Sequence, residues 1–137
     1  MARQAPRGRP GWRPRARPGA TFVQADLTAL ELDAGSFDAV VALYSVIHVP
    51  LDAQPALLAA FARWLSPGGV LLMTAGSRAW TGTETGWLGG TATMWWSHAD
   101  AATYRGWLGD AGLRVEDEAF VPEGDGGHSL FWAVRAG

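Results

Sequence analysis

"GSFDAVVALYSVIHVP", residues 35–50, decides the fold. Its centre, Phe37–Leu43, is continuous, apolar and β-branched, the pattern of a strand covered on both faces in a parallel sheet. The residues beyond Pro50 suit a crossover to a second strand. Asp52 is placed to cap a helix, with Pro55 tolerated in its first turn. Leu57, Leu58, Phe61, Trp64 and Leu65 then recur at i, i+1, i+4, i+7 and i+8, one apolar stripe. "SPGG", residues 66–69, stops that helix, and Val70–Thr74 reads as the next apolar strand.

Outward from this unit the chain alternates again. Upstream, Thr21–Ala25 is a short apolar run fit for a buried strand, and "DLTALELDAGS" after it reads as loop with one helical turn. Downstream, a glycine-rich excursion from Gly76 to Trp96 carries Trp80, Trp87, Trp95 and Trp96. Ser97 and Asp100 form an S-x-x-D capping box for a second helix, whose apolar side is Ala101, Tyr104, Leu108 and Ala111. Gly112 stands where a left-handed C-terminal cap is expected. Leu113–Val121 and Ser129–Arg135, joined by "PEGDGGH", read as an antiparallel hairpin. Strands alternating with helices mean an α/β layered domain that binds ligands outside the carboxyl ends of its strands. Those ends are Asp26, the stretch Tyr44–His48 and the loop after Thr74.

Composition narrows the class. The chain has 137 residues, 48% apolar and 18% charged, enough for one globular core. It has no cysteine, so disulfides and thiolate metal sites are excluded and a reducing, cytoplasmic setting is expected. No apolar run approaches the ~18 residues of a membrane span, and no apolar segment near the start makes a secretory signal. Residues 1–18 hold six of the eleven arginines and four prolines, and are expected to be a disordered leader. The remainder sets thirteen acids against five arginines, which makes a nucleic-acid partner unlikely beyond that arm. Three scattered histidines without ligand spacing make a metal site unlikely.

"FVQADLTAL", "GSFDAVVALYSVIHVP", "LLAAFARWLSPGGVLLMTAGS" and "LGDAGLRVEDEAF" resemble, in order and spacing, the rear half of class I S-adenosylmethionine-dependent methyltransferases. The resemblance covers residues 19–137. "WLGGTATMWWSHAD" is also similar to a run found in a bacterial small-molecule subgroup of that family. The resemblance implies a Rossmann-like three-layer fold, S-adenosylmethionine as cofactor and a small-molecule methyl acceptor. It also implies roles. Asp26 and the Leu27 backbone would meet the adenine, although "ADLT" equally suits an Asx-turn. Leu43, Tyr44 and Ser45 would face the methionine part and the reacting methyl, with strand-end packing the alternative. His48 lies where an acceptor would approach, as a general base or as a satisfied loop histidine. Trp95 and Trp96 would wall an acceptor pocket or plug the sheet edge, with His98 beside them as a substrate contact or a first-turn residue. His128, in the hairpin loop, is given no role.

The family's glycine-rich strand–turn–helix and its ribose-binding acid have no counterpart, since "GGTATM" and "RGRPG" lack the flanking strand and helix. The expectation is a partial methyltransferase domain lacking its first two strands, truncated at its amino terminus and weak or inactive alone. The Thr21–Ala25 strand would then pair directly beside Phe37–Leu43, a second chain would complete the sheet, or the fragment would be marginal. The alternative is a degenerate, non-catalytic module that binds or regulates a partner.

Overall fold

The computed structural model describes residues 19–137, so the expected leader, residues 1–18, lies outside the described residues. The elements in chain order are β1 (Phe37–Ala42), α1 (Gln54–Trp64), β2 (Leu65–Gly76), β3 (Trp80–Thr85), β4 (Thr93–His98), α2 (Ala101–Asp110), β5 (Leu113–Glu123) and β6 (Gly126–Arg135). Four of the strands form a sheet in the order β1-β2-β6-β5, and β3 pairs with β4 in a separate hairpin. β1 and β2 run parallel with α1 crossing between them, while β6 is antiparallel to both β2 and β5. This is a Rossmann-like α/β fold closed by an antiparallel carboxyl-terminal hairpin.

The core follows from the side-chain periods. On α1 the stripe Leu57, Leu58, Phe61 and Trp64 is buried, as is Leu65 beyond it. Each such side chain contributes roughly 1.5–3 kcal/mol on leaving water. It meets Leu71, Met73 and Ala75 of β2 and Phe131 and Ala133 of β6, which alternate onto one sheet face. Tyr104 and Leu108 of α2 pack on the same face, as their spacing predicts. Gly112 takes φ +82° and ends α2 as expected. The opposite face carries the register row Val41–Leu72–Trp132, where Val41 is 63% and Trp132 46% exposed.

Several expectations are corrected. Thr21–Ala25 forms no strand, and Phe22 and Val23 are exposed. A strand exists only through a neighbour that takes its N–H and C=O groups, and the described residues offer it none. For the same reason β1 forms where predicted but as an open edge rather than a covered strand. Asp52 lies inside a 3₁₀ turn, Leu51–Ala53, entered from Pro50, so it does not cap α1; Ala53 takes the cap position without a side-chain bond. The cap of α2 is Asp100, whose carboxylate accepts from the Thr103 N–H at 2.8 Å; Ser97 belongs to β4 instead. β2 starts at Leu65, with "SPGG" bulged out between the pairs Phe37↔Leu65 and Ala39↔Val70. The glycine-rich excursion, read without regular structure, is largely the β3–β4 hairpin. Among the described residues no helix is long and apolar enough to cross a membrane.

Candidate active site

The carboxyl end of β1 is shaped by one backbone bond. Past Ala42 the chain must leave the sheet, and Tyr44 does so at φ +52°, a conformation that costs a non-glycine residue of order 1 kcal/mol. The Tyr44 N–H donates to Oγ1 of buried Thr74 at 2.7 Å, which ties this turn to the end of β2. Ser45 then opens the 3₁₀ turn Val46–His48, whose valine and isoleucine are buried. His48 is thereby held at the mouth of the sheet.

His48 Nδ1 lies 2.8 Å from the Trp95 carbonyl oxygen. A carbonyl only accepts, so Nδ1 carries the hydrogen and Nε2 keeps a free lone pair. The His48 ring packs against Trp96 at 4.6 Å, and Trp87 meets Trp96 edge-on at 5.0 Å. These rings, with Met94 and Leu88 of the hairpin, wall a cavity of about 450 Å³. Its floor is Tyr44 together with Glu123 and His128 from the β5–β6 turn. Tyr44 stacks edge-to-face on His128 at 5.4 Å. The Tyr44 phenol is raised above its ordinary value, first by its hydrogen bond to the Glu123 carboxylate and then by burial. His128 Nδ1 sits 2.8 Å from Glu123, off the line of a hydrogen bond, so the contact is electrostatic and depends on a proton on the ring.

The remaining predicted residues are divided. Asp26 is fully exposed and its Oδ1 accepts from the Thr28 N–H at 2.9 Å and the Thr28 hydroxyl at 2.7 Å, an Asx-turn. Those bonds hold its pKa below the ordinary carboxylate value and leave Oδ2 for a ligand. Leu27 and Ser45 line one apolar cleft of about 290 Å³ along β1. Leu43 stands exposed beside Tyr44 at the strand end. Trp95 shapes the site through its carbonyl, while its side chain points away from the cavity that Trp96 lines. His98 lies in a neighbouring cleft with Trp80 and Arg78, its Nδ1 donating to the Arg78 carbonyl at 2.6 Å. Burial foremost pushes the His98 pKa down. Gly76 makes room for that ring, since a Cβ there would fall 2.6 Å from the Ala99 carbonyl and closer still to the imidazole. Among the described residues no group of three metal-ligating side chains converges.

Glu123 and His128 are the residues that sequence reasoning missed. The signal was the antiparallel hairpin itself. Because β6 runs against β2, its first residues lie beside the last residues of β2, and His128 pairs with Gly76. The turn "PEGDGGH" therefore returns to the carboxyl end of β2.

Comparison with known proteins agrees with this fold. The family model described as a methyltransferase domain matches residues 11–69, a span that starts ahead of Gly19. No curated protein matches the chain by sequence. Among solved structures, a putative S-adenosylmethionine-dependent methyltransferase from Listeria monocytogenes superposes with TM-score 0.73 at 9% identity, covering 89% of this chain and 72% of that one. An S-adenosylmethionine-dependent methyltransferase from Methanosarcina mazei gives 0.67 at 14% identity, covering 82% and 65%. The 1,6-didemethyltoxoflavin-N1-methyltransferase of Burkholderia thailandensis, solved with 1,6-didemethyltoxoflavin and S-adenosylhomocysteine, gives 0.65 at 17%, covering 85% and 51%. The chain thus spans about two thirds of the length of the Methanosarcina protein and about half that of the Burkholderia enzyme. A methyltransferase-domain model thus matches residues 11–69, and the fold of the described residues is similar to that of class I S-adenosylmethionine-dependent methyltransferases, a family whose cofactor is S-adenosylmethionine.

Proposed function

We propose that the domain over residues 19–137 takes part in methyl transfer to a small-molecule acceptor bound in the cavity beneath the β3–β4 hairpin. The observation that carries this is the cavity at the carboxyl end of β1, where Tyr44, the free Nε2 of His48 and the Trp96 face meet. S-adenosylmethionine, when bound, supplies an electrophilic methyl group. The described residues fit that cofactor at its adenine side, where ionised Asp26 can accept from an amino group and Leu27 lines an apolar cleft. Leu43, Tyr44 and Ser45 border the space between this cleft and the acceptor cavity. Displacement at a methyl group depends mainly on alignment, which the Trp96 and Tyr44 rings impose on an acceptor. His48 Nε2 is the proton acceptor, and Nδ1 is anchored so that the ring keeps its orientation.

A non-catalytic module paired with a second chain is the other reading, favoured by the open edge of β1 and the exposed row through Val41. Calorimetric titration of the full chain with S-adenosylhomocysteine separates them. With contacts confined to the adenine side and the end of β1, the Kd is expected in the hundreds of micromolar, about −5 kcal/mol. Asp26→Ala should weaken it by roughly tenfold, the worth of one hydrogen bond to a charged group. No binding at ~10 mM, or no effect of Asp26→Ala, would overturn the methyl-transfer reading in favour of the module.

A further inference from the structure

We infer that the acceptor cavity selects a protonated amine carried on a flat aromatic body, and that Glu123 is the residue that selects it. The inference rests on the acceptor cavity proposed above and names its substrate class. The cavity is lined by the Trp87, Trp96 and Tyr44 rings, and Glu123 is its formally charged member with the histidines neutral. No arginine lines it among the described residues. Indole and phenol faces attract cations, and a carboxylate at the edge of such a cage completes an ammonium site. A carboxylate-bearing acceptor would meet the Glu123 carboxylate with no arginine to offset it and would bind worst.

Glu123 is also held in place. Tyr44 lines the cavity beside it, and His128 Nδ1 stands 2.8 Å from its carboxylate. The volume of about 450 Å³ accommodates a bicyclic aromatic with a short side chain. The His48 Nε2 lone pair is then the acceptor for the ammonium proton: the N–H bond breaks, the proton moves to Nε2, and the nitrogen keeps its electron pair.

Three probes of one shape and different charge test this on the full chain: tryptamine, indole-3-ethanol and indole-3-acetate, titrated calorimetrically near pH 8. Tryptamine is expected to bind about tenfold more tightly than indole-3-ethanol, the size of a partly desolvated cation–π and carboxylate contact. Indole-3-acetate should bind most weakly. Glu123→Gln should remove most of the tryptamine preference and leave indole-3-ethanol unchanged, Glu123→Asp should restore part of it, and Trp96→Ala should weaken all three. Glu123 lies at an exposed turn, so an unchanged thermal melt is expected to accompany the loss. Indole-3-acetate binding as tightly as tryptamine, an unaffected Glu123→Gln, or no binding of any probe would overturn the inference. S-adenosylhomocysteine is titrated in parallel. Its binding without a tryptamine preference overturns the amine assignment alone, whereas a tryptamine preference without its binding supports the amine site and overturns the methyl-transfer reading.

Discussion

Replacing Gln54 by leucine probes the hydrogen bonds that hold the candidate site on its core. Gln54 is fully buried at the start of α1. Its Nε2 donates to the Val49 carbonyl at 2.8 Å and the Ser97 carbonyl at 2.7 Å, and its Oε1 accepts from the Tyr104 hydroxyl at 2.6 Å. One amide thus joins the segment after His48, the strand carrying Trp95 and Trp96, and helix α2. Leucine matches the volume but removes the bonds that Gln54 makes to two carbonyls and a buried hydroxyl. At about 1–1.5 kcal/mol each, near the lower part of the range for such groups, the loss is ~3–5 kcal/mol. That is a large share of the ~5–15 kcal/mol that keeps a domain folded. At about 4 °C per kcal/mol for a chain of this size, Tm should fall by ~12–20 °C. Tyr104→Phe strands only Oε1 and should cost ~1–2 kcal/mol. The double variant should cost less than the two singles together by ~2–3 kcal/mol, because it strands neither the hydroxyl nor Oε1. Urea denaturation followed by circular dichroism measures all three. A Gln54→Leu cost below ~1 kcal/mol, or strict additivity in the double variant, would refute the network.

Two more outcomes are expected of the same structure. The chain has no lysine, so its two tyrosines govern the alkaline limb; burial raises the Tyr104 phenol to about 12, and Tyr44 is raised as well. A raised folded-state value means stability is intact below the unfolded phenol's ~10 and is lost as pH rises from there toward 12; Tyr104→Phe should flatten that decline in urea midpoints taken between pH 9 and 12, and an unchanged slope would count against burial of the phenol. Thr74→Val removes the hydroxyl that holds the Tyr44 N–H, so a loss of ~1–2 kcal/mol is expected, with Thr74→Ser near wild type; equal melts for the two would show that the bond does not hold the turn.

How much of this was legible in the sequence depended on whether the information was local. The α1 stripe, the β1 run, the Gly112 cap and the final hairpin are periodic or turn-coded within a few residues, and each formed where expected. Thr21–Ala25 has the same local signal and forms no strand, because pairing is decided by a neighbour that a local pattern does not contain. The β3–β4 hairpin was hidden for the opposite reason. Gly82 sits inside β3 and the turn takes positive φ at Gly86, Leu88 and Gly89, so glycine content masked a Thr- and Trp-rich pair of strands.

The site divides along the same line. Tyr44 and His48 are reached directly from the end of β1, and Trp96 from its nearness to α2. His128 and Glu123 enter only through topology, because an antiparallel strand added to a parallel pair returns its leading turn to the carboxyl end. The cavity's charge is set by that returning turn rather than by the strand ends that the fold rule highlights. With "PEGDGGH" opposite Gly76 rather than beyond the sheet, Glu123 and His128 stand at the carboxyl end of β2 and give the cavity its polar groups.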